Sequence, residues 1–155
     1  MDWKTLFFSP EGRIGRSSFW IGWLVLLGVN VVLGWVPLVG WALCLVTIYC
    51  NVCITAKRLH DMGKSGFLQV IPMIAVPTLI IGAIVAVAGP AIMAGIADAD
   101  DAQITAAVMA GVGGMFLFFL AACVIWLGFL LWVGLSNSEP GENRFGPAPA
   151  PPALA

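Results

Sequence analysis

The distribution of basic residues constrains the fold of this chain more than any other feature. All seven lysines and arginines lie in three short patches, and long apolar stretches separate these patches. The patches are Lys4, Arg13 and Arg16; then Lys57, Arg58 and Lys64; and finally Arg144. Because lysine and arginine are retained in the cytoplasmic loops of membrane proteins, the pattern predicts an even number of membrane crossings with both termini in the cytoplasm.

The apolar stretches are long enough for four transmembrane helices, which we expect at about residues 19–36, 41–56, 67–89 and 107–135. The chain is 61% hydrophobic and 10% charged, whereas a soluble domain carries about 25% charged residues. We therefore predict an all-α integral membrane protein in which the four helices form two hairpins. Residues 1–18 would be a cytoplasmic N-terminal segment, residues 19–147 the membrane domain, and residues 148–155 a disordered Pro/Ala tail.

Prolines and small residues give the expected details of the last two spans. Pro72 and Pro77 are expected to kink the third span, and Gly89 with Pro90 is expected to end it. A loop containing three aspartates should follow, namely Asp98, Asp100 and Asp101. In the fourth span, small residues at four-residue spacing favour close packing against another helix, and these are Ala106, Ala110 and Gly114.

Few polar side chains occur within the spans. Asn30 and Asn51 are expected to bond to each other across the first hairpin. No carboxylate or basic side chain lies in mid-span, which argues against proton pumps and ion-coupled transporters. Cys50 and Cys53 form a C-x-x-C pair for which plain packing is the main interpretation, because no second pair of metal ligands accompanies them.

Three polar segments are expected to converge on the cytoplasmic face. Arg13, Arg16, Arg58, Asp61 and Arg144 should meet there in one ion-pair and hydrogen-bond cluster. The full set of candidate site residues is Arg13, Arg16, Lys57, Arg58, His60, Asp61, Asn143 and Arg144. Such a cluster would either hold the helix hairpins together or bind an anionic group. A lone histidine makes a poor metal site, and we predict no metal, cofactor or catalytic residue.

The same segments resemble the signature blocks of the domain-of-unknown-function 805 family. The matching residues are Gly12-Arg13, Arg16 and Phe19-Trp20; Arg58-Leu59-His60-Asp61, Gly63, Ser65 and Gly66; and Gly141 with Asn143-Arg144-Phe145-Gly146-Pro147. The resemblance extends from about Phe7 to Pro147. Phe67 stands where an aromatic residue such as tryptophan is common, and Ala148 where an acidic residue is frequent. The resemblance implies a small bacterial inner-membrane protein of about four helices, with no established substrate or reaction.

Three functional hypotheses follow, in decreasing order of support. The first is a non-enzymatic scaffold or regulatory membrane module with a cytoplasmic Arg/Asp cluster, which binds anionic lipid headgroups or another membrane protein. The second is an oligomeric transporter or channel for small solutes, with a path lined by Asn30, Asn51 and Gln69. The third is an intramembrane enzyme that uses His60 or Asp61 with the C-x-x-C thiols, which matches no recognised catalytic spacing. A net charge of −1 gives no indication of nucleic-acid binding, whereas a homo-oligomer is compatible with the first two hypotheses.

Overall fold

The computed structural model describes residues 3–36, 38–97 and 100–149, which form five α-helices and one short 3-10 helix. In chain order these are α1 (Trp3–Phe8), α2 (Arg16–Leu33), α3 (Val39–Asp61), the 3-10 helix Gly66–Gln69, α4 (Val70–Ile96) and α5 (Asp101–Leu135). This part of the chain contains no strand and only one isolated antiparallel bridge, between Asn143 and Gly146. Residues 150–155 of the tail expected to be disordered lie outside the described residues.

Four helical segments are long and apolar enough to cross a membrane, as the sequence predicts. They are α2, α3, α4 together with the preceding 3-10 helix, and α5, with 18, 23, 31 and 35 residues. At 1.5 Å per residue even the shortest is about 27 Å long, close to the hydrocarbon thickness of a bilayer. The all-helical fold class is therefore confirmed, although each helix extends beyond at least one boundary expected from the sequence.

The chain divides into two compact units. The first comprises the residues up to Gln69 and those from Leu131 onward, and the second comprises Val70–Leu130. All the residues that form the candidate site described below belong to the first unit, including the last turn of α5.

The prediction that Gly89 and Pro90 end the third helix is wrong. Helix α4 continues through Pro77 and Pro90 to Ile96. A proline inside a helix leaves the carbonyl four residues earlier without its N–H partner, and for Pro90 this is the carbonyl of Ala86. In transmembrane helices, contacts with neighbouring helices can compensate for the lost hydrogen bond. Pro72 lies in the first turn of α4, where the N–H of a helix has no intrahelical partner to lose.

The aspartates expected in a loop before the fourth span instead begin helix α5. The side chain of Asp100 accepts a hydrogen bond from the backbone N–H of Gln103 at 2.8 Å, as an N-capping residue does. Asp101 is the first residue of the helix, where its negative charge interacts favourably with the helix dipole. The helix therefore starts six residues earlier than predicted, and Asp98 lies outside the described residues.

Small residues of α5 do approach another helix closely, at the predicted position Gly114 and at Gly111, which was not predicted. A Cβ atom at Gly111 would collide with the carbonyl oxygen of Ala86, and one at Gly114 would lie 3.4 Å from the Cβ of Ala86. Ala106 and Ala110 are exposed. Because a helix has 3.6 residues per turn, Gly111 and Gly114 share a face that Ala106 does not fully share. The freed carbonyl before Pro90 is thus covered by a glycine of the adjacent helix.

The expected bond between Asn30 and Asn51 is also wrong. Thr47 donates from its hydroxyl to the side-chain oxygen of Asn30 at 3.3 Å. The amide groups of Asn30 and Asn51 donate within their own helices, to the carbonyls of Leu26 and Thr47 respectively, each at 2.8 Å. The α2–α3 hairpin therefore brings Asn30 level with Thr47, one helical turn before Asn51.

Candidate functional site

Asp61, the last residue of α3, accepts hydrogen bonds from three side chains. Its Oδ1 accepts from Arg13 through Nη2 at 3.2 Å and Nε at 3.3 Å. Its Oδ2 accepts from Nη1 of Arg58 and from the hydroxyl of Ser138. We call Arg13, Arg58, Asp61 and Ser138 the Asp61 cluster. The side chains of Asp61 and Arg58 are fully buried, and that of Arg13 is 1% exposed.

Two arginines share one carboxylate, and both also donate to backbone carbonyls; Arg58 donates in addition to the hydroxyl of Ser138 at 3.1 Å. Arg13 donates to the carbonyls of Glu139 at 2.6 Å, Gly141 at 2.7 Å and Gly146 at 3.2 Å. A buried charge is tolerated when its hydrogen bonds are satisfied in this way. Throughout the described residues, every buried side-chain nitrogen or oxygen has a hydrogen-bond partner. The bonding of the cluster is thus satisfied within the protein, as is typical of a group of residues that stabilises the fold.

Arg58 and Arg16 both bind the C-terminal end of α5. Arg58 donates to the carbonyl of Val133 at 3.1 Å and to that of Ser136, and Arg16 donates to Ser136 at 2.9 Å. The last carbonyls of a helix lack intrahelical partners and carry partial negative charge. Helix α5 has no basic residue in its own last turn. Arginines from α2 and α3 supply the positive charge instead, and Arg16 also donates to the side chain of Asn137.

The segment after α5 is shaped so that its carbonyl groups reach Arg13. Gly141 and Gly146 have φ angles of +76° and +121°, conformations that residues with a Cβ atom rarely adopt. Between them, Asn143 and Gly146 exchange two backbone hydrogen bonds of 3.1 Å and 2.9 Å. Both glycines therefore allow the main-chain conformation in which these carbonyls accept hydrogen bonds from the guanidinium group of Arg13.

His60 connects the N-terminal loop to the same C-terminal segment. Its ring stacks on Phe145 with 3.9 Å between centroids and an interplanar angle of 7°. Its Nδ1 donates to the carbonyl of Gly12 at 3.2 Å, and its own carbonyl accepts from the side chain of Asn143 at 3.0 Å. The guanidinium group of Arg144 lies 4.6 Å from the centroid of the Phe145 ring. These contacts give His60 a positioning role between chain segments.

The candidate site residues therefore fall into three groups. Arg13, Arg58 and Asp61 lie in direct contact. Four further residues lie around them and either contact or belong to the segment after α5, namely Arg16, His60, Asn143 and Arg144. Of these, Arg144 donates to the carbonyl of Gly63 at 3.4 Å. Lys57 is directed elsewhere, because its ammonium group donates to the carbonyl of Thr5 in α1.

Two members of the site were missed by sequence reasoning. Ser138 donates to Asp61, and Glu139 donates its backbone N–H to the carbonyl of Asp61 at 2.8 Å. Glu139 also accepts a bond from the side chain of Asn143 at 2.8 Å. The signal available in the sequence was the polar run that directly follows the last apolar stretch, at residues 136–139.

The groups considered for metal or redox chemistry are not assembled into a site. Cys50 and Cys53 are buried, unpaired thiols within α3, and both oxygens of Asp61 are occupied by donors. Among the described residues, no group of three or more His, Cys, Asp or Glu side chains could hold a metal ion.

The fold is all-helical, with four helices that are long and apolar enough to span a membrane. A buried arginine–aspartate cluster lies where α3 and α5 end. The chain belongs to the family described as "Protein of unknown function (DUF805)", whose model matches residues 7–147. Membership of the family that the sequence resembles is thereby confirmed.

The chain is also similar to two curated bacterial proteins, both named "Uncharacterized protein YiiR". One is from Escherichia coli (strain K12) and the other from Escherichia coli O157:H7, and each is 41% identical over 70 residues. The match covers 38% of this chain and 45% of either relative, so less than half the length of these relatives is spanned. No solved structure matches the chain.

Proposed function

We propose that this protein is a multi-pass protein of the bacterial inner membrane, with the Asp61 cluster on its cytoplasmic side. The exposed surface of the long helices supports insertion, because large apolar side chains face outward, including Val32 (71% exposed), Ile84 (61%) and Leu117 (66%). Such surface is unfavourable in water and suited to lipid. The cytoplasmic orientation is supported by the cluster and its surroundings, which draw on all three basic patches.

This orientation predicts the behaviour of reporter fusions. A fluorescent protein fused after Pro147 should fluoresce, because it would fold in the cytoplasm. Alkaline phosphatase fused after Asp100 should be active, because it would be exported. Measured in intact cells, active phosphatase after Pro147 together with inactive phosphatase after Asp100 would reverse the proposed topology.

We further propose that the protein is a non-enzymatic module that binds anionic lipid headgroups. The observation that carries this proposal is that some basic residues around the Asp61 cluster are buried in it and others are exposed beside it. Arg13 and Arg58 are buried and bonded inside the Asp61 cluster. Lys64 and Arg144 are exposed and lie near the cluster, where they remain accessible to a ligand.

Lys64 and Arg144 each lie close to an aromatic ring. The ammonium group of Lys64 lies 5.7 Å from the ring centroid of Trp132, and the guanidinium of Arg144 lies 4.6 Å from that of Phe145. We call Lys64 and Arg144 the basic rim. Long basic side chains beside tryptophan are suited to the headgroup layer, where the apolar stem is covered and the charge faces phosphate.

Removing the basic rim should weaken the preference for anionic lipid. Each juxtamembrane basic residue contributes about 1 kcal/mol of attraction to an anionic leaflet. The Lys64→Gln, Arg144→Gln double variant should therefore lose about 2 kcal/mol, or about 30-fold in relative association constant. The measurement is the association of spin-labelled phosphatidylglycerol relative to phosphatidylcholine in reconstituted vesicles.

The matched control is Glu142→Gln, which changes one charge in the same C-terminal segment while leaving both rim cations in place. This variant should retain the preference for phosphatidylglycerol. An unchanged preference in the double variant would remove headgroup binding from the proposal. Arg13 and Arg58 are unsuitable for this test, because their substitution would disrupt the buried cluster itself.

A further inference from the structure

Helix α1 packs along the α2–α3 hairpin and does not form part of the Asp61 cluster. Leu6 is buried, with 4% of its surface exposed. Its side chain and that of Phe7 lie over Gly22, where an added Cβ atom would be 3.5 Å and 3.7 Å away from them. Gly22 lies six residues into α2, which corresponds to about 9 Å along the helix axis. Helix α1 thus lies beside the first turns of a proposed membrane span.

Side chains of α3 donate to two of the carbonyl groups at the end of α1. This helix has only six residues, so its last four carbonyls have no partner within the helix. The ammonium group of Lys57 donates to the carbonyl of Thr5, and the hydroxyl of Tyr49 donates to that of Phe8 at 3.2 Å. In water these carbonyls could bond to solvent, but at membrane depth they need donors from the protein.

The positions of these two donors indicate the depth of α1. Lys57 and Tyr49 precede Asp61 by four and twelve residues in the same helix, or by about 6 Å and about 18 Å along its axis. The end of α1 is therefore held well to the membrane side of the Asp61 cluster. The chain then returns through the loop before α2, where Arg13 reaches Asp61.

Two of the exposed side chains of α1 are aromatic. Trp3 is 47% exposed and Phe8 is 58% exposed. Trp3 also stacks on Phe7, with 5.9 Å between the ring centroids. Exposed tryptophan and phenylalanine are typical of helices that lie at the boundary between headgroups and acyl chains.

We propose that α1 is an interfacial membrane helix whose exposed aromatic side chains contact phospholipid. This inference rests on the membrane insertion proposed above, and it assigns residues 3–8 to the bilayer interface in place of the cytoplasmic location expected from the sequence. The N-terminal segment would therefore enter the lipid interface before the first span and return to the Asp61 cluster through Arg13.

Photocrosslinking in phospholipid nanodiscs tests this assignment on the full chain. The photoreactive amino acid p-benzoylphenylalanine replaces Phe8. This residue is aromatic and exposed, so the larger side chain can be accommodated on the surface of α1. Phe116 in α5, which is 62% exposed, provides the matched position within a proposed span. Glu142, which is exposed in the segment after α5, provides a position that should face water on the proposed cytoplasmic side. Lipid adducts are measured by mass spectrometry after illumination.

We expect a lipid adduct at position 8 with a yield close to that at position 116 and far above that at position 142. An adduct at position 116 with none at position 8 would overturn the interfacial assignment and leave membrane insertion intact. Absence of adduct at both positions would instead contradict membrane insertion, and the interfacial assignment with it.

A second variant tests the hydrogen bond that holds the end of α1. Tyr49→Phe removes the hydroxyl that donates to the carbonyl of Phe8 and keeps the aromatic ring. Hydrogen–deuterium exchange of the amides in residues 3–8 should become faster in nanodiscs, while exchange in α5 stays unchanged. Unchanged exchange in residues 3–8 would contradict the role of Tyr49 in holding α1 at the interface.

Discussion

Asp61→Ala should destabilise the protein by about 3–5 kcal/mol, the loss typical of breaking a buried ion pair. The substitution leaves the guanidinium groups of Arg13 and Arg58 without their carboxylate in a site where neither is exposed to water. Removing one partner of a buried pair is costly because the remaining charge stays desolvated. The measurement is the free energy of unfolding from a titration with sodium dodecyl sulfate in mixed micelles, followed by far-ultraviolet circular dichroism.

The control for this result is Glu142→Ala, which removes a carboxylate from an exposed position. Its effect should stay within about 0.5 kcal/mol of the wild-type value. Asp61→Asn should fall between the two, because the amide keeps one oxygen acceptor and loses the charge. If Asp61→Ala proved as stable as Glu142→Ala, the buried cluster would not contribute to the free energy of unfolding.

Gly111→Ala and Gly113→Ala should change stability in opposite directions, although the same methyl group is added to the same helix. At Gly111 the new Cβ would lie 2.8 Å from the Cα of Val87 and would collide with the carbonyl oxygen of Ala86. These are backbone atoms that cannot rotate away, so the two helices must separate. We expect a net loss of about 1–2 kcal/mol after the gain in helix propensity is subtracted.

Gly113 is the matched position, because nothing lies within 4 Å of a Cβ atom added there. Alanine should stabilise the helix at this site by about 0.5–1 kcal/mol through its higher helix propensity. Both free energies are measured by the same detergent titration. Equal effects at the two positions would show that α4 and α5 do not approach each other at Gly111.

The sequence predicts the long helices well, because hydropathy and helix length depend on composition within each segment. It fails at Pro90, because the cost of a proline in a helix depends on what lies beside the freed carbonyl, and the local sequence around Pro90 does not contain Gly111. It also fails at Asn30, because the register of the α2–α3 hairpin depends on turn geometry and decides whether Thr47 or Asn51 lies opposite.

The candidate site was predictable only for its charged side chains. The motif residues Arg13, Arg58 and Asp61 are chemically complementary, so their association could be inferred from charge and topology. Most of the remaining acceptors are backbone carbonyls, including those of Val133 and Glu139. Every residue has a carbonyl group, so the sequence gives no signal for which of them a guanidinium will bind.

The use of main-chain acceptors has a consequence for how the C-terminal segment tolerates change. Arg13, Arg16 and Arg58 bind oxygen atoms whose chemistry is the same whichever side chain is attached. Replacement of an exposed side chain that takes no part in these contacts, such as that of Glu142, should therefore be accepted readily. Ser138 and Gly141 are different, because one donates to Asp61 and the other has a positive φ angle. Insertion or deletion of a single residue there would move the carbonyls out of reach, so the length of this stretch is constrained even at positions where the side chain is not.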